Sequence, residues 1–308
     1  MLPPKKPKNQ HYVWRHYLEA WTAGDLIACY RQDARNGFRS NPRNIASETY
    51  FYRVFDLTDA EKNYLDRVIR SLPNAWAQQT CRLFVQIFTH GGELRRQLDK
   101  PGLEEKERTK IEQKVQYIER SIVELYHGAI EHEGAPLLAR LRARDATFWD
   151  NEKDACAFAA FIATQYLRTA RMRDAVINIS RPPSVNLDRV WPILHHFKTT
   201  ETGAALHEAR GRYRAIILEN ATPIHFITGD QPVINLNPTN TDLKLYYPIT
   251  PTCALLLTAD PFDQPRSVSI LDAEWLNREI HRWSLDQLYG VDLDYLERIC
   301  ALDKIPPT

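Results

Sequence analysis

The spacing of apolar and polar positions divides the chain into three stretches. "DLIACYRQD" (25–33) and "ETYFYRVF" (48–55) alternate or run in β-branched and aromatic residues, as strands do. "ARNGFRSNPRN" between them is full of turn formers. From Thr58 the period lengthens. "TDAEKNYLDRVIRSL" opens with Thr58 as an N-cap and carries Glu61 three positions on, the spacing of a capping box, so a helix starts there. Helical periodicity continues to about Ser180, with breaks expected at Pro73, "HGG" (90–92), "KPG" (100–102) and "EGAP" (133–136). In the charged stretch after Gly102, Ile111, Val115, Ile118, Ile122 and Leu125 recur every three or four positions, which predicts an amphipathic helix with a solvated face. "NEKDACAFAAFIATQYLRTARMRDAVINI" (151–179) is apolar on more sides and predicts one central, buried helix. "DRVWPILHHF" and "TGAALHEARGRYRAIILEN" predict two more helical segments.

Near Thr222 the strand pattern returns. "PIHFITGD" and "QPVINL" flank a turn at Gly229–Asp230, and "LKLYYPIT" and "TCALLLT" flank another at Pro251. "DAEWLNREIHRWSLDQLYG" (272–290) predicts a last helix stopping at Gly290. The order has no βα alternation and no internal repeat. It predicts an α+β fold, with a predominantly helical middle region packed on a mixed or antiparallel sheet built from N- and C-terminal strands. The expected organisation is a disordered tail at 1–8 and a single domain over 9–308. Within it lie an N-terminal helix and strands (9–56), a helical region (57–221), and C-terminal strands and a helix (222–290).

Composition narrows the partners. Lys and Arg number 40 against 39 acidic residues, so the formal charge is +1 and no global field draws the chain to nucleic acid or an anionic membrane. The longest apolar run, "CALLLTA" (253–259), is too short to span a bilayer, and no membrane partner is expected. "MLPPKKPKNQ" lacks the apolar run of a secretory signal. Cys29, Cys81, Cys156, Cys253 and Cys300 form no Cys-x-x-Cys pair and stand far apart. That argues against a zinc site and a disulfide framework, and each reads as a small buried hydrophobe in a reducing cytoplasm. Phosphate-binding glycine loops, a Gly-x-Ser-x-Gly elbow and His-Glu-x-x-His are absent. A nuclease-type carboxylate pattern fits Glu219 and Asp230 only loosely, because no Glu-x-Lys follows. The adjacent His195 and His196 diverge by about 100° on a helix and are not expected to share a metal.

A few residues resist explanation as packing. In "NQHYVWRHYLEAW" (9–21), His11 can act as a general base, a metal ligand or a hydrogen-bonded core residue. If the stretch is helical, His11 and Arg15 share a face. Gln165 and Arg168 fall on the apolar stripe of the 151–179 helix. A buried guanidinium needs a carboxylate, carbonyls or an anionic ligand, so Arg168 is either half of an internal ion pair or a clamp. Asp230 lies at a strand-end turn, as an Asx-turn former or as a functional carboxylate. Asn277, among Trp275, Leu276 and Ile280, points inward as a core amide or a ligand contact.

His11-Tyr12-Val13, the Leu167-Arg168-Thr169 run, "FITGDQPV" and "YYPITPTCALLL" together resemble a bacterial family known as domain of unknown function 4238, over about residues 9–290. Trp14 stands where that family usually has Pro, and Gly229 and Gln231 stand where it has Ser and Asn. Thr228, Asp230 and Asn277 match its pattern. The resemblance implies a place in bacterial anti-phage defence or mobile-element neighbourhoods and implies no mechanism. The resulting expectation is a defence effector acting on a phosphate-bearing substrate, nucleic acid or nucleotide. His11 and Asp230 would be its acid–base pair, with Arg15, Gln165, Arg168 and Asn277 binding the substrate. The cofactor is left unknown, a divalent metal at Asp230 being the option raised. The alternatives are a non-catalytic module that senses a ligand or a phage protein, and a structural partner subunit.

Overall fold

A computed structural model describes residues 9–49, 56–72, 74–179, 184–239 and 242–302. The expected tail at 1–8, most of the predicted strand 48–55, and Pro73 lie outside them. The fold is α+β.

Three short N-terminal elements come first: strand β1 (Asn9–His11), helix α1 (Arg15–Leu18) and the hairpin of β2 (Ile27–Arg31) with β3 (Asn36–Ser40). β1 pairs antiparallel with β4 (Ser47–Thr49). The helical region holds α2 (Asp59–Ser71), α3 (Ala75–Leu98), α4 (Glu105–Arg142), α5 (Glu152–Leu167), α6 (Ala170–Ile179) and α7 (Leu187–Glu208). The capping box at Thr58 and Glu61 is formed, with both reciprocal bonds present. After α7 come β5 (Arg214–Glu219), β6 (Thr228–Gly229), β7 (Ile234–Asn235), β8 (Lys244–Thr250), β9 (Cys253–Thr258) and β10 (Arg266–Ser267). The described chain closes with α8 (Ile270–Trp283), β11 (Gln287–Gly290) and α9 (Leu293–Cys300).

The expected joining of the two chain ends occurs in a four-stranded antiparallel sheet ordered β3-β2-β11-β6. A second, mixed sheet, β10-β5-β9-β8-β7, comes wholly from the C-terminal half. Its two central strands are buried on both faces. Leu245, Tyr247, Ile249, Cys253, Leu255 and Leu257 enter the core shared with the helical bundle. Tyr246, Ala254 and Leu256 enter a second core with α8, α9 and the four-stranded sheet. Strand periodicity sends alternate side chains to opposite faces, so this sheet is the wall between two cores. The continuous apolar run "TCALLLT" is the sequence trace of that double burial.

Several expectations are corrected. Asn36–Ser40, read as turn, is a strand, because its Cα partners in β2 supply the order that its polar sequence does not. Arg214–Glu219, read as the end of a helix, is a strand antiparallel to β9. The 272–290 segment is a helix only to Trp283 and then forms β11. The 151–179 helix is two, α5 and α6, broken at Arg168–Thr169. Cys156, read as buried, is exposed; Cys29, Cys81 and Cys253 are buried. "KPG" does separate helices, but "HGG" and "EGAP" do not: α3 and α4 run through them. Among the described residues no helix is long and apolar enough to cross a membrane.

Gly134, in "EGAP", serves close packing of α4 on α5. A Cβ there would lie 2.3 Å from Cδ2 and 2.6 Å from Cγ of Phe161, a ring with no exposed surface. Gly134→Ala is expected to destabilise the protein by about 1–3 kcal/mol through overpacking, read as a lower urea midpoint at unchanged slope.

Candidate functional site

The aromatic residues of the N-terminal segment are anchors. Tyr12, Tyr17 and Trp21 are buried, and Arg15 stays outside, 3.6 Å from Glu19. Tyr17 stacks on Tyr247 at 4.9 Å between centroids and donates its hydroxyl toward Thr228 and Pro248 O, each at 2.7 Å. Trp21 Nε1 donates to Phe226 O at 2.8 Å. These bonds strap the N-terminal segment across the 226–248 region. The amides of Tyr12 and Val13 both donate to Ala46 O, at 3.0 and 3.5 Å, and Ala46 is held at φ 52° to present it. Positive φ in a residue with a Cβ is strained and persists where surrounding contacts fix it.

This strap brings His11 to the end of α5. His11 is a strand residue, so it does not share a helical face with Arg15; α1 begins only at Arg15. It is half-buried, and its Nε2 is buried with no hydrogen-bond partner among the described residues. Burial lowers its pKa below 6.5. The cations Arg168 and Arg15 act in the same direction, opposed by hydrogen bonding to the backbone at Pro42 and Arg43.

Arg168 is 1% exposed and answers the sequence question with an ion pair: Nη1 lies 2.6 Å from Glu131 Oε1 on α4, and Nη2 donates to Gln165 Oε1 at 3.2 Å. Gln165 has no exposed surface. The next residue, Thr169, hydrogen-bonds Gln231 through its hydroxyl. Gln231 Nε2 donates to Tyr166 O at 2.9 Å and Val233 O at 2.7 Å. The break between α5 and α6 is thus pinned to the loop that carries Asp230.

Asp230 is 5% exposed and its carboxylate is occupied. Oδ1 accepts from Leu285 N at 2.7 Å, and Oδ2 accepts from Asp286 N at 2.7 Å and Gln287 N at 2.9 Å. It organises the turn between α8 and β11. From that turn Gln287 Nε2 reaches Tyr12 Oη at 3.1 Å, closing a circuit back to the His11 strand. Asn277, fully buried, accepts from Ile227 N at 3.0 Å and donates to His225 O at 2.9 Å and Tyr295 Oη at 3.0 Å. It fastens α8 and α9 to the same loop from the other core.

The three segments singled out in the sequence therefore converge, while their side chains differ in availability. His11 and Arg15 reach the surface; Gln165, Arg168, Asp230 and Asn277 do not. The clefts of about 560, 610 and 470 Å³ are lined by other residues. Among the described residues no group of three or more His, Cys, Asp or Glu is arranged to hold a metal ion.

Sequence reasoning missed the rest of the polar interior. His127 and Glu131 stand four apart on α4, and that spacing was the available signal. His127 Nε2 lies 2.9 Å from His195 Nε2, and His195 Nδ1 lies 3.1 Å from Pro192 O. A carbonyl only accepts, so Nδ1 carries the His195 proton and, with the ring neutral, His127 donates across the pair. His196 points elsewhere, stacked on Phe84 at 3.7 Å. Burial is the main cause that drives all three pKa values down: His127 well below the ordinary value, His195 to about 4 and His196 to about 3. Burial also raises the carboxyl of Glu131, against the pull of Arg168.

Comparison with known families gives the chain its place: it belongs to the family described as protein of unknown function (DUF4238), whose model matches residues 9–287. No curated protein and no solved structure matches it.

Two outcomes follow. Asp230→Ala removes the charged acceptor of three part-buried backbone amides and is expected to cost about 2–3 kcal/mol, measured by chemical denaturation. Stability is also expected to fall as pH drops from 6.5 toward 4. Unfolded histidines bind protons near 6.5, whereas the folded values lie lower, so their contribution is complete above 6.5 and lost on acidification. Each contributes up to about 1.4 kcal/mol per pH unit. Glu131 opposes this by at most one proton, because its folded value lies above the unfolded one. A urea midpoint that does not move between pH 7 and 4.5 contradicts the prediction.

Proposed function

We propose that this protein works within a bacterial anti-phage defence system on a phosphate-bearing ligand, a nucleic acid or nucleotide, held at His11. The observation that carries the chemistry is the buried Nε2 of His11, without a hydrogen-bond partner among the described residues and within the field of two cations, Arg15 and Arg168. A neutral imidazole with a free nitrogen accepts or donates one proton, and the flanking guanidinium charges favour an anion next to it. The defence context comes from the family resemblance alone.

In this proposal the six residues play different parts. His11 is the acid–base group and Arg15 the direct phosphate contact. Arg168, buried and paired, acts on His11 through its field. Asp230, bound by three amides, and Asn277, bound on every side, act as positioning residues. Gln165 orients Arg168. The near-neutral overall charge favours a short ligand over long tracking along nucleic acid. The free cysteines suit a reducing compartment, the cytoplasm.

A second reading, a non-catalytic module that senses a ligand or a phage protein, is favoured by the internal matching of charge at Arg168–Glu131 and Asp230. Such a site binds without turning over.

His11→Ala is expected to abolish phage protection in a plaque assay while the melting temperature stays within a few degrees of the parent. A fully protective His11→Ala protein overturns the proposal. Nuclear magnetic resonance titration supplies the mechanistic half. Inorganic phosphate near His11 raises the imidazole pKa, because the anion stabilises the charged form; an unmoved titration removes the anion from this site. Native mass spectrometry showing a bound small molecule, with no turnover of RNA, DNA or nucleotides, selects the sensing reading.

A further inference from the structure

The C-terminus of α4 breaks a local rule. Arg144, just past the cap residue Ala143, lies at φ 64°. Its N–H donates to Leu141 O and that of Asp145 to Arg140 O, both at 2.9 Å. This pair of bonds is a Schellman closure, whose left-handed position is usually glycine because a Cβ is strained there. The sequence carries an arginine at that position, which the backbone bonds alone do not require; its side chain also donates to Arg142 O at the same helix end.

What the arginine does gain is a place on a cleft of about 560 Å³, within the size range of small-molecule sites. Ala215 and Ile217 of β5, both half-buried, form an apolar floor, and Trp149 stands on the wall. Two guanidinium groups on this cleft are held in place by neutral acceptors. Arg144 donates to Arg142 O at 3.2 Å and Thr252 Oγ1 at 3.3 Å. Arg214 donates to Asp260 O at 2.6 Å and Asp263 O at 2.8 Å. Neither forms an ion pair with a carboxylate of the described residues. Arg266, also on the rim, differs: Asp272 grips it at 2.7 and 3.0 Å and matches its charge. The exposed carboxylates Asp150 and Glu219 line the same cleft and offer acceptors.

We propose that this cleft binds a small phosphorylated ligand of nucleoside monophosphate size. Arg144 and Arg214 contact the phosphate, the apolar floor carries the flat part of the ligand, and Asp150 and Glu219 accept from its hydroxyl or N–H donors. Guanidinium groups fixed by carbonyls keep donors for phosphate oxygens and need no rearrangement to use them. The site is separate from His11 and does not depend on the reading given for it.

The test is calorimetric titration of the intact protein with AMP, GMP, CMP and UMP, and with inorganic phosphate as the minimal anion. At least one nucleotide is expected to bind one to one, more tightly than phosphate. Arg144→Gly is expected to weaken it at least tenfold with an unchanged or higher melting temperature, since glycine relieves the left-handed strain. Ala215→Phe, which fills the floor and touches no hydrogen bond named above, is expected to do the same. His11→Ala keeps the affinity. The proposal is overturned if no nucleotide binds below about 1 mM, or if affinity survives both Arg144→Gly and Ala215→Phe. It is equally overturned if affinity disappears in His11→Ala, which assigns the ligand to the N-terminal site.

Discussion

Arg168 brings a full positive charge into the interior, 2.6 Å from the carboxylate of Glu131, and neither partner tolerates the loss of the other. A buried charge left alone costs several kcal/mol, so α4 and the end of α5 must stay in one relative position. That position fixes Thr169, which fixes Gln231 and hence the loop of Asp230. Asp230 in turn folds the turn before β11, and Gln287 in that turn reaches back to Tyr12. The ion pair is therefore the start of a circuit through four remote parts of the chain. Burial is the main cause of the lowered pKa of His11, His127 and His195, and the same charge adds to it in each.

The circuit sits where the two cores meet. The five-stranded sheet separates them, and a wall buried on both faces cannot bend without disturbing both. Tyr17 and Trp21 hold loops at the edge of this wall, while Asn277 holds the same loops from the opposite side. His11 is carried on the strap made by these anchors. A partly buried imidazole is thereby mounted on rigid backbone, which is the condition for a group that must meet a ligand in one orientation.

How much of this was legible depended on whether the cause was local. The polar pair Gln165 and Arg168 stood out because helical periodicity placed both on an apolar stripe. The partner Glu131 did not, since its one local mark is the four-residue spacing from His127, which solvated helix faces show as well. Asp230 was visible as a turn residue, but its three partners are backbone amides and leave no trace in side-chain identity. β3 was missed because "NGFRS" has the composition of a turn and becomes a strand only through its pairing with β2. Gly134 misled in the opposite direction: a glycine that permits close packing looks the same in sequence as one that ends a helix. Thr58 and Glu61, whose interaction spans three residues, were read correctly.

Strain offers a separate line of argument. Ala46 and Arg144 both hold positive φ at positions where glycine would be easier. Ala46 presents its carbonyl to the strand that carries His11, and its strain is repaid by two backbone bonds. At Arg144 the backbone gains nothing, because a glycine would close α4 with the same backbone bonds; what the arginine adds is its side chain, which caps Arg142 O and reaches the cleft. Sequences agree with local preference nearly everywhere and depart from it where function demands. By that reasoning the departure at Ala46 is structural support for the N-terminal site, whereas the departure at Arg144 concerns the side chain alone. A side chain kept against backbone preference, in no direct ion pair among the described residues and open to a cleft, is kept for what it meets there.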